Sequence, residues 1–430
     1  MSAEAISAET STEPSQLVDH FFRHESANLV AVLTRAFGMR CLDLVEDKVQ
    51  EALLTAMQVW GRRGIPANPS GWVYRVARNR VVDALRREKI HQRAVALSHH
   101  SNEAIEALVD EWLSEDQLPD SLLRMIFVCC HPDLDRRSQI AMTLKILCGF
   151  SLAEIARGLL ISVEAAKKRV QRAKKVVAQQ QISLDLPPAP ELQARLAAVR
   201  EVLYLMFNEG YSASQGHEPL RDDICEEAAR LCHLLCDHEA FSTPETRALL
   251  ALMLAHAARL EARVDTEGAV VLLSEQDRAQ WNRPLIRFAE VWLQRSKTEQ
   301  PSRFHFEAAI ALSHCRAASV AETDWHLIVR LYDRLLAIHQ SPLYVLNRAV
   351  ARGESGDVEG ALGELESIRG HREMRGYFLL DCAAGRLHEL DSNDAAALAA
   401  YAAARRVASA PHEQALLNKK LARLGAAESR

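Results

Sequence analysis

The chain has 430 residues, a formal net charge of −5, 48% hydrophobic residues and 25% charged residues. This length exceeds one small module, and the composition excludes a disordered or collagen-like chain. No apolar run approaches the roughly 18–20 residues of a membrane span, and the acidic stretch from Met1 to Gln16 lacks the basic and apolar parts of a secretory signal.

Seventeen Gly and fourteen Pro are few for this length, and long segments are rich in Ala, Leu, Glu and Arg. An all-α protein is therefore expected. Nine Cys, an odd number set within helical patterns, fit a reducing cytoplasm better than a disulfide framework.

In chain order, residues 1–16 read as a disordered tail. A first helical domain is expected over 17–95, with amphipathic helices to Trp60 interrupted near Gly38 to Asp43. A Gly/Pro-rich loop from Gly61 to Pro69 follows. Asn68 can cap the next helix with Pro69 at its first position, and that helix runs from about Ser70 to Glu88. Residues 96–120 form an acidic linker, and 121–182 a second helical group.

Leu186-Pro187-Pro188-Ala189-Pro190 marks the clearest domain boundary. A helical extension over 183–300 and helical repeats over 301–425 follow. Leu346 and Leu380, Ala349 and Ala383, and Ala361 and Ala395 share one offset, which matches the ~34-residue period of tetratricopeptide repeats.

The negative net charge hides two basic patches. Between Gly61 and Arg93, nine bases face two acids, a net of +7; between Ser151 and Ala178, seven face two, a net of +5. Such patches predict a phosphate-facing surface confined to the N-terminal part.

Ser151 to Val177 reads as a helix-turn-helix. Ser151-Leu152-Ala153-Glu154 is a capping box, and Ser162 can cap the second helix. Val163, Ala166, Val170, Ala173 and Val177 would pack inward. Glu164, Lys167, Lys168, Gln171 and Arg172, with Arg169 at the boundary, would face a major groove. Leu160 stands where many such turns have Gly. A plain helical hairpin with a solvated basic face is the simpler reading of this segment alone.

From Trp72 to Arg87, aromatic and basic residues interleave on one helix. Val73, Val76, Ala77 and Val81 can face inward, while Arg75, Arg78, Asn79, Arg86 and Arg87 can reach solvent. Aromatic rings beside cations suit single-stranded nucleic acid, where bases stack and Arg holds phosphates. Core packing of Trp72 and Tyr74 is the competing reading.

These segments resemble extracytoplasmic-function RNA polymerase sigma factors. The run from Asp43 to Glu51 is similar to the clamp-binding segment of region two. The Trp72 to Arg87 helix is similar to that region's promoter-melting, minus-ten-reading helix, and Ser151 to Lys175 to the region-four helix-turn-helix. Order and spacing agree over roughly Leu17 to Gln181. The remainder resembles the extension of a subgroup with tetratricopeptide-like repeats, and Leu205 to Tyr211 looks like a characteristic stretch of it.

The resemblance implies a protein that catalyses nothing, needs no cofactor and brings promoter specificity to core RNA polymerase. Asp43, Glu46, Asp47, Gln50 and Glu51 would dock on the clamp. Arg62, Arg63 and Asn68 would line the pocket for a base extruded from the minus-ten element, at a cost of a few kcal/mol in unstacking. Trp72, Arg75, Arg78, Asn79, Arg86 and Arg87 would hold the opened strand. Ser162, Glu164, Lys167, Lys168, Arg169, Gln171 and Arg172 would read the minus-thirty-five element. The acidic linker would run through the polymerase cleft, and the extension would bind a protein partner or regulate the sigma module.

Competing readings are a dimeric helix-turn-helix regulator with a repeat-built sensor domain, and a pure helical scaffold. Neither explains the Trp72 helix and the clamp-like segment together. No nucleophile elbow, P-loop or zinc-protease motif is present. Cys225, Cys232 and Cys236, with His233 and His238, lack the close Cys pairs of zinc sites and read as core. Cys129-Cys130-His131 reads the same way.

Overall fold

A computed structural model describes residues 14–91, 118–211, 222–263 and 271–428, apart from 160, 181, 183, 187 and 409–410, and leaves aside some side chains within those helices. Most of the acidic linker and of the N-terminal tail lie outside the described residues. Every regular element among the described residues is helical. Two compact units result, residues 1–202 and 203–430.

The first unit opens with α1 (Pro14–Phe37), α2 (Leu42–Arg63) and α3 (Pro69–His91). Gly38, at φ 87°, ends α1 where the sequence suggested a break. Leu29, Leu33, Val45, Val49, Ala52, Val73, Tyr74 and Ala77 form their core. The spacing of these residues follows the helical period, which is why the three helices pack face to face. Asn68 Oδ1 accepts the Gly71 backbone N–H at 2.8 Å, so Asn68 caps α3 with Pro69 at N1, as its sequence implied.

Four more helices complete the region: α4 (Leu118–Cys129), α5 (Arg136–Ile146), α6 (Leu152–Gly158) and α7 (Val163–Gln179). Asp135 caps α5 by accepting from Ser138 N at 3.1 Å. Phe127, Ile140, Leu144, Phe150, Ile155 and Val170 are buried here. Cys129 and Cys130 are buried too, and burial first of all pushes both thiols up, Cys130 to about 12. That fits the core reading of this pair.

The unit boundary falls at Val202, inside α8 (Ala189–Tyr211), and not at the Pro-rich stretch before it. The reason lies in two arginines. Arg195 donates to the Phe127 carbonyl at 2.9 Å, and Arg136 donates to the Ala198 carbonyl at 3.2 Å. These bonds hold the first half of α8 on α4 and α5.

The second unit continues with α9 (Asp222–Asp237), α10 (Pro244–Ala257), α11 (Arg283–Arg295), α12 (Arg303–Arg316) and α13 (Trp325–Ile338). It ends with α14 (Pro342–Glu354), α15 (Val358–Arg369), α16 (Phe378–Leu390), α17 (Asp394–Val407) and α18 (Pro411–Glu428). Cys225, Cys232 and Cys236 lie along the buried face of α9, and the Cys225 and Cys232 thiols donate to the Phe207 and Thr246 carbonyls. His238 stacks on Phe241 at 4.4 Å. Glu307 of α12 is half-buried and accepts from the hydroxyls of Tyr204 at 2.9 Å and Tyr344 at 2.7 Å.

The α14–α15 and α16–α17 pairs repeat, but with an offset of 36 residues: Pro342 and Phe378 start equivalent helices, as do Val358 and Asp394. Ala361 and Ala397 are both fully buried, whereas Ala395, paired with Ala361 by the sequence offset, is exposed. The short 3-10 turn Arg372–Met374 lengthens the connection between the pairs. At Gly385 a Cβ would sit 2.7 Å from the Tyr401 ring, so glycine there sets how closely α16 and α17 approach.

Candidate nucleic-acid interface

The helix-turn-helix forms as its sequence requires. Ser151 Oγ accepts from Glu154 N at 3.2 Å and Glu154 Oε2 accepts from Ser151 N at 2.7 Å, so both halves of the capping box are made. Ser162 Oγ accepts from Ala165 N at 3.1 Å and starts α7. Ala166, Val170, Ala173 and Val177 are buried. Val163 departs from expectation at 51% exposed, because the first turn of α7 projects past the core.

Ser162, Glu164, Lys167, Lys168, Gln171 and Arg172 share the exposed side of α7, and Arg169 is half-buried beside them. Lys168 and Glu164 make a 3.8 Å pair at i,i+4. Such an exposed pair contributes about 0.3–0.5 kcal/mol, so it leaves the basic face available to phosphates. Lys174 does not join that face. It points to α2, where its ammonium bonds Asp43 at 2.7 Å and Glu46 at 2.5 Å.

On α3, Arg75, Asn79, Arg86 and Arg87 are exposed, as expected. Two residues of this helix depart from the sequence reading. Arg78 is only 5% exposed, because it follows Tyr74 by one helical turn and shares its inward face. Tyr74, at 2%, is a core residue. Trp72 is half-buried and meets Trp60 edge to face, with ring centroids 5.7 Å apart. Only Trp72 of the two rings therefore presents an edge at the surface. Gly64, at φ 81°, caps α2 and turns the chain toward Asn68, which is exposed. Arg62 and Arg63 fall in the last turn of α2, so the loop is shorter than its sequence suggested; their side chains lie outside the described residues.

The acidic face of α2 is split. Asp43, Asp47, Gln50 and Glu51 are exposed, and Gln50 Nε2 donates to Ser26 Oγ at 3.1 Å. Glu51 pairs with Lys48 at 2.5 Å. Glu46 is 8% exposed and lies between Lys145 at 2.9 Å and Lys174. It therefore does not stand with the docking residues at the surface. Sequence reasoning missed Leu54 and Met57, which are 59% and 57% exposed on the same stripe. Two apolar residues inside an otherwise polar helix face were the signal that could have found them.

Residues 21–90 match the family model described as sigma-70 region 2, and residues 124–177 the model described as sigma-70, region 4. The ECF RNA polymerase sigma factor SigF of Caulobacter vibrioides is 30% identical over 165 residues, covering 37% of this chain and 86% of that protein. The chain belongs to the ECF sigma factor family. It is a factor for promoter-specific transcription initiation, which explains why region 2 and region 4 each carry an exposed basic helix. Residues 195–297 of this sigma factor match a family of unknown function, DUF6596. An uncharacterized protein of Rhizobium meliloti is 40% identical over 364 residues, covering 81% of this chain and 84% of that protein. That aligned length exceeds the first unit, so the likeness runs into the extension. No solved structure matches the chain.

Proposed function

We propose that this sigma factor docks on the clamp of core RNA polymerase through the outward stripe of α2. The stripe runs from Asp43 through Asp47, Gln50 and Glu51 to Leu54 and Met57. Its mixture of carboxylates and exposed apolar side chains, continuous over about four helical turns, is the observation that carries this reading. Arg62, Arg63 and Asn68 would receive the extruded minus-ten base. Trp72, Arg75, Asn79, Arg86 and Arg87 would hold the melted strand, and the exposed face of α7 would read the minus-thirty-five element in duplex form. Such work places the protein in the cytoplasm, with the polymerase.

The contacts of Glu46 favour one addition. Lys145 and Lys174 of region 4 cover a carboxylate of the docking helix. Lys174 also holds Asp43, the first residue of the stripe, so region 4 closes over that end of α2 and full docking would require it to leave.

The extension, with its paired helices resembling tetratricopeptide repeats, would act on the sigma module through a partner or through polymerase itself. Its removal is best tested by truncation after Val202, since a cut at Pro190 would strip Arg195 from the Phe127 carbonyl. Unchanged output and regulation in that truncation would remove the regulatory role.

The decisive experiment is run-off transcription with core polymerase from the promoter upstream of the protein's own gene. Start-specific transcripts that vanish in Asp47→Ala/Glu51→Ala are expected. Tight duplex binding without any binding to core polymerase would overturn the docking reading.

A further inference from the structure

The extension buries an unusual amount of positive charge in one place. Arg259 is 4% exposed and Arg278 7%, and Trp281 between them is 2% exposed. The Arg278 guanidinium lies 4.9 Å from the Trp281 ring centroid and the Arg259 guanidinium 5.9 Å. A third guanidinium, that of Arg263, lies 3.5 Å over the Tyr211 ring. Among the described residues, none of the three arginines has a carboxylate within ion-pair distance. Asp222 acts on Arg263, and Glu322 on Arg278, only at longer range.

The three cations are not used alike. Arg278 is consumed by the fold: it donates to the carbonyls of His314 at 2.9 Å and Ala317 at 2.7 Å, and to the Thr323 hydroxyl at 3.3 Å. Arg259 Nη2 donates to His256 Nδ1 at 2.7 Å and to the Tyr211 hydroxyl at 3.2 Å. An arginine can only donate, so His256 Nδ1 accepts and the imidazole is neutral. Burial, then the charges of Arg259 and Arg263, hold its pKa well below the ordinary value. Among the described residues, no carboxylate accepts a hydrogen bond from Arg259 or Arg263.

Tyr211 thus gathers two guanidiniums, one on its hydroxyl and one on its ring. Each keeps a buried N–H without an acceptor, Arg259 Nε and Arg263 Nη1, and the indole N–H of Trp281 is in the same condition. Native cores rarely leave donors so, and a buried guanidinium without a counter-charge is among the costlier things a fold can hold. The unmet groups on Arg259, Arg263 and Trp281 are all donors on or beside cations, while the unmet Nδ1 of the neutral His314 lies beside Arg259 and Arg278. What would meet those donors is an acceptor-only, negatively charged group. Tyr211, His256 and Arg263 are half-buried, so the cluster reaches the surface on their side.

We propose that the extension carries a binding site for the oxyanion group of a small molecule, a carboxylate or a phosphate, held between Arg259 and Arg263. The planar guanidinium fork matches either oxyanion through paired N–H donors. Tyr211 and Trp281 orient the two arginines, and the neutral His256 accepts from Arg259 so that its Nε remains for the ligand. The site lies wholly within the second unit, mostly inside residues 195–297, and rests on no part of the polymerase-docking reading.

The test uses the full chain. Thermal unfolding and isothermal titration are followed with inorganic phosphate and, separately, succinate, against sodium chloride at equal ionic strength. At millimolar anion, a rise of a few degrees in Tm beyond the chloride control is expected. The anion giving the larger rise decides between phosphate and carboxylate. Arg263→Gln, at a half-exposed position, should fold and lose the rise, and Arg263→Lys should bind at least tenfold more weakly. Two results would overturn the site: no anion-specific rise in the unaltered protein by either method, or an undiminished rise in Arg263→Gln. A higher Tm of Arg263→Gln without added anion, together with no binding to the unaltered protein, would show the arginines to be structural and water-satisfied.

Discussion

Lys174 Nζ reaches from α7 to Glu46 Oε2 on α2 at 2.5 Å, and Lys145 meets the other carboxylate oxygen at 2.9 Å. Burial alone would lower the Lys174 pKa, but the neighbouring Glu46 and Asp43 outweigh it and the pKa is raised. The ammonium therefore keeps its charge throughout the neutral range. Removing both lysines leaves Glu46 buried without its partners, which is strongly unfavourable for the closed arrangement. Lys145→Ala/Lys174→Ala should open region 4 from α2 and bind core polymerase about tenfold more tightly, an apparent gain of about 1.4 kcal/mol. Fluorescence anisotropy would measure the affinity, and small-angle scattering the expansion of a fragment ending at Val202. Unchanged affinity with unchanged dimensions would remove the closed-form reading.

Leu54 and Met57 are exposed beside Asp47 and Glu51, where no packing among the described residues requires an apolar side chain. Burying one such side chain against a partner gains about 1.5–3 kcal/mol. Leu54→Ala/Met57→Ala should therefore weaken core binding about ten- to a hundredfold while Tm stays nearly constant, since exposed truncations cost little. A fall in Tm with unaltered affinity would assign the pair to the fold and not to the polymerase.

Local signals in this sequence were legible because they act over three or four residues. The Ser151–Glu154 capping box, the Ser162 and Asn68 caps and the break at Gly38 all form where the residues imply. The inward face of α7 followed from its period. Burial by a neighbouring element was not legible. On α2 the helical period sets Glu46 one turn after Leu42 and beside Val45 and Val49, on the inward side, but nothing in it shows the two lysines that α5 and α7 bring to that carboxylate. Arg78 shows the same limit on α3, where an arginine sits one turn past a buried tyrosine. The repeat was found at the wrong offset because Ala-rich helices match one another at several spacings, while burial is set by the length of the turn between them.

The exposed face of α7 makes a separate claim about DNA. Arg172 and Lys168 lie on that face, whereas Lys174 two residues further on is turned to α2. Arg172→Ala and Lys168→Ala should each weaken binding of a region-four fragment to duplex DNA. Each should also lower the slope of log affinity against log salt by about one if it touches a phosphate. Lys174→Ala in the same fragment should leave the slope unchanged. Equal effects of all three would mean that binding is diffuse attraction and that α7 is not seated in a groove.

His314 of α12 should make the extension sensitive to acid. Burial first, then the charges of Arg259 and Arg278, push its pKa down to about 3, against an ordinary value of 6.5. Below about pH 6.5 the unfolded chain takes up a proton that the folded chain refuses. The stability this histidine contributes is complete above that pH and declines as pH falls toward 3. The limiting slope is about 1.4 kcal/mol per pH unit for one such group. His256, whose pKa is also lowered, adds to the same limb. His314→Gln removes one titrating group, so its urea midpoint should fall less steeply than that of the unaltered protein between pH 6 and pH 4. Tryptophan fluorescence reads this locally, because Trp325 lies edge-on to His314 at 5.3 Å. Identical acid limbs in the two proteins would mean that His314 is protonated in the folded state, and that the arginines beside it are screened by solvent.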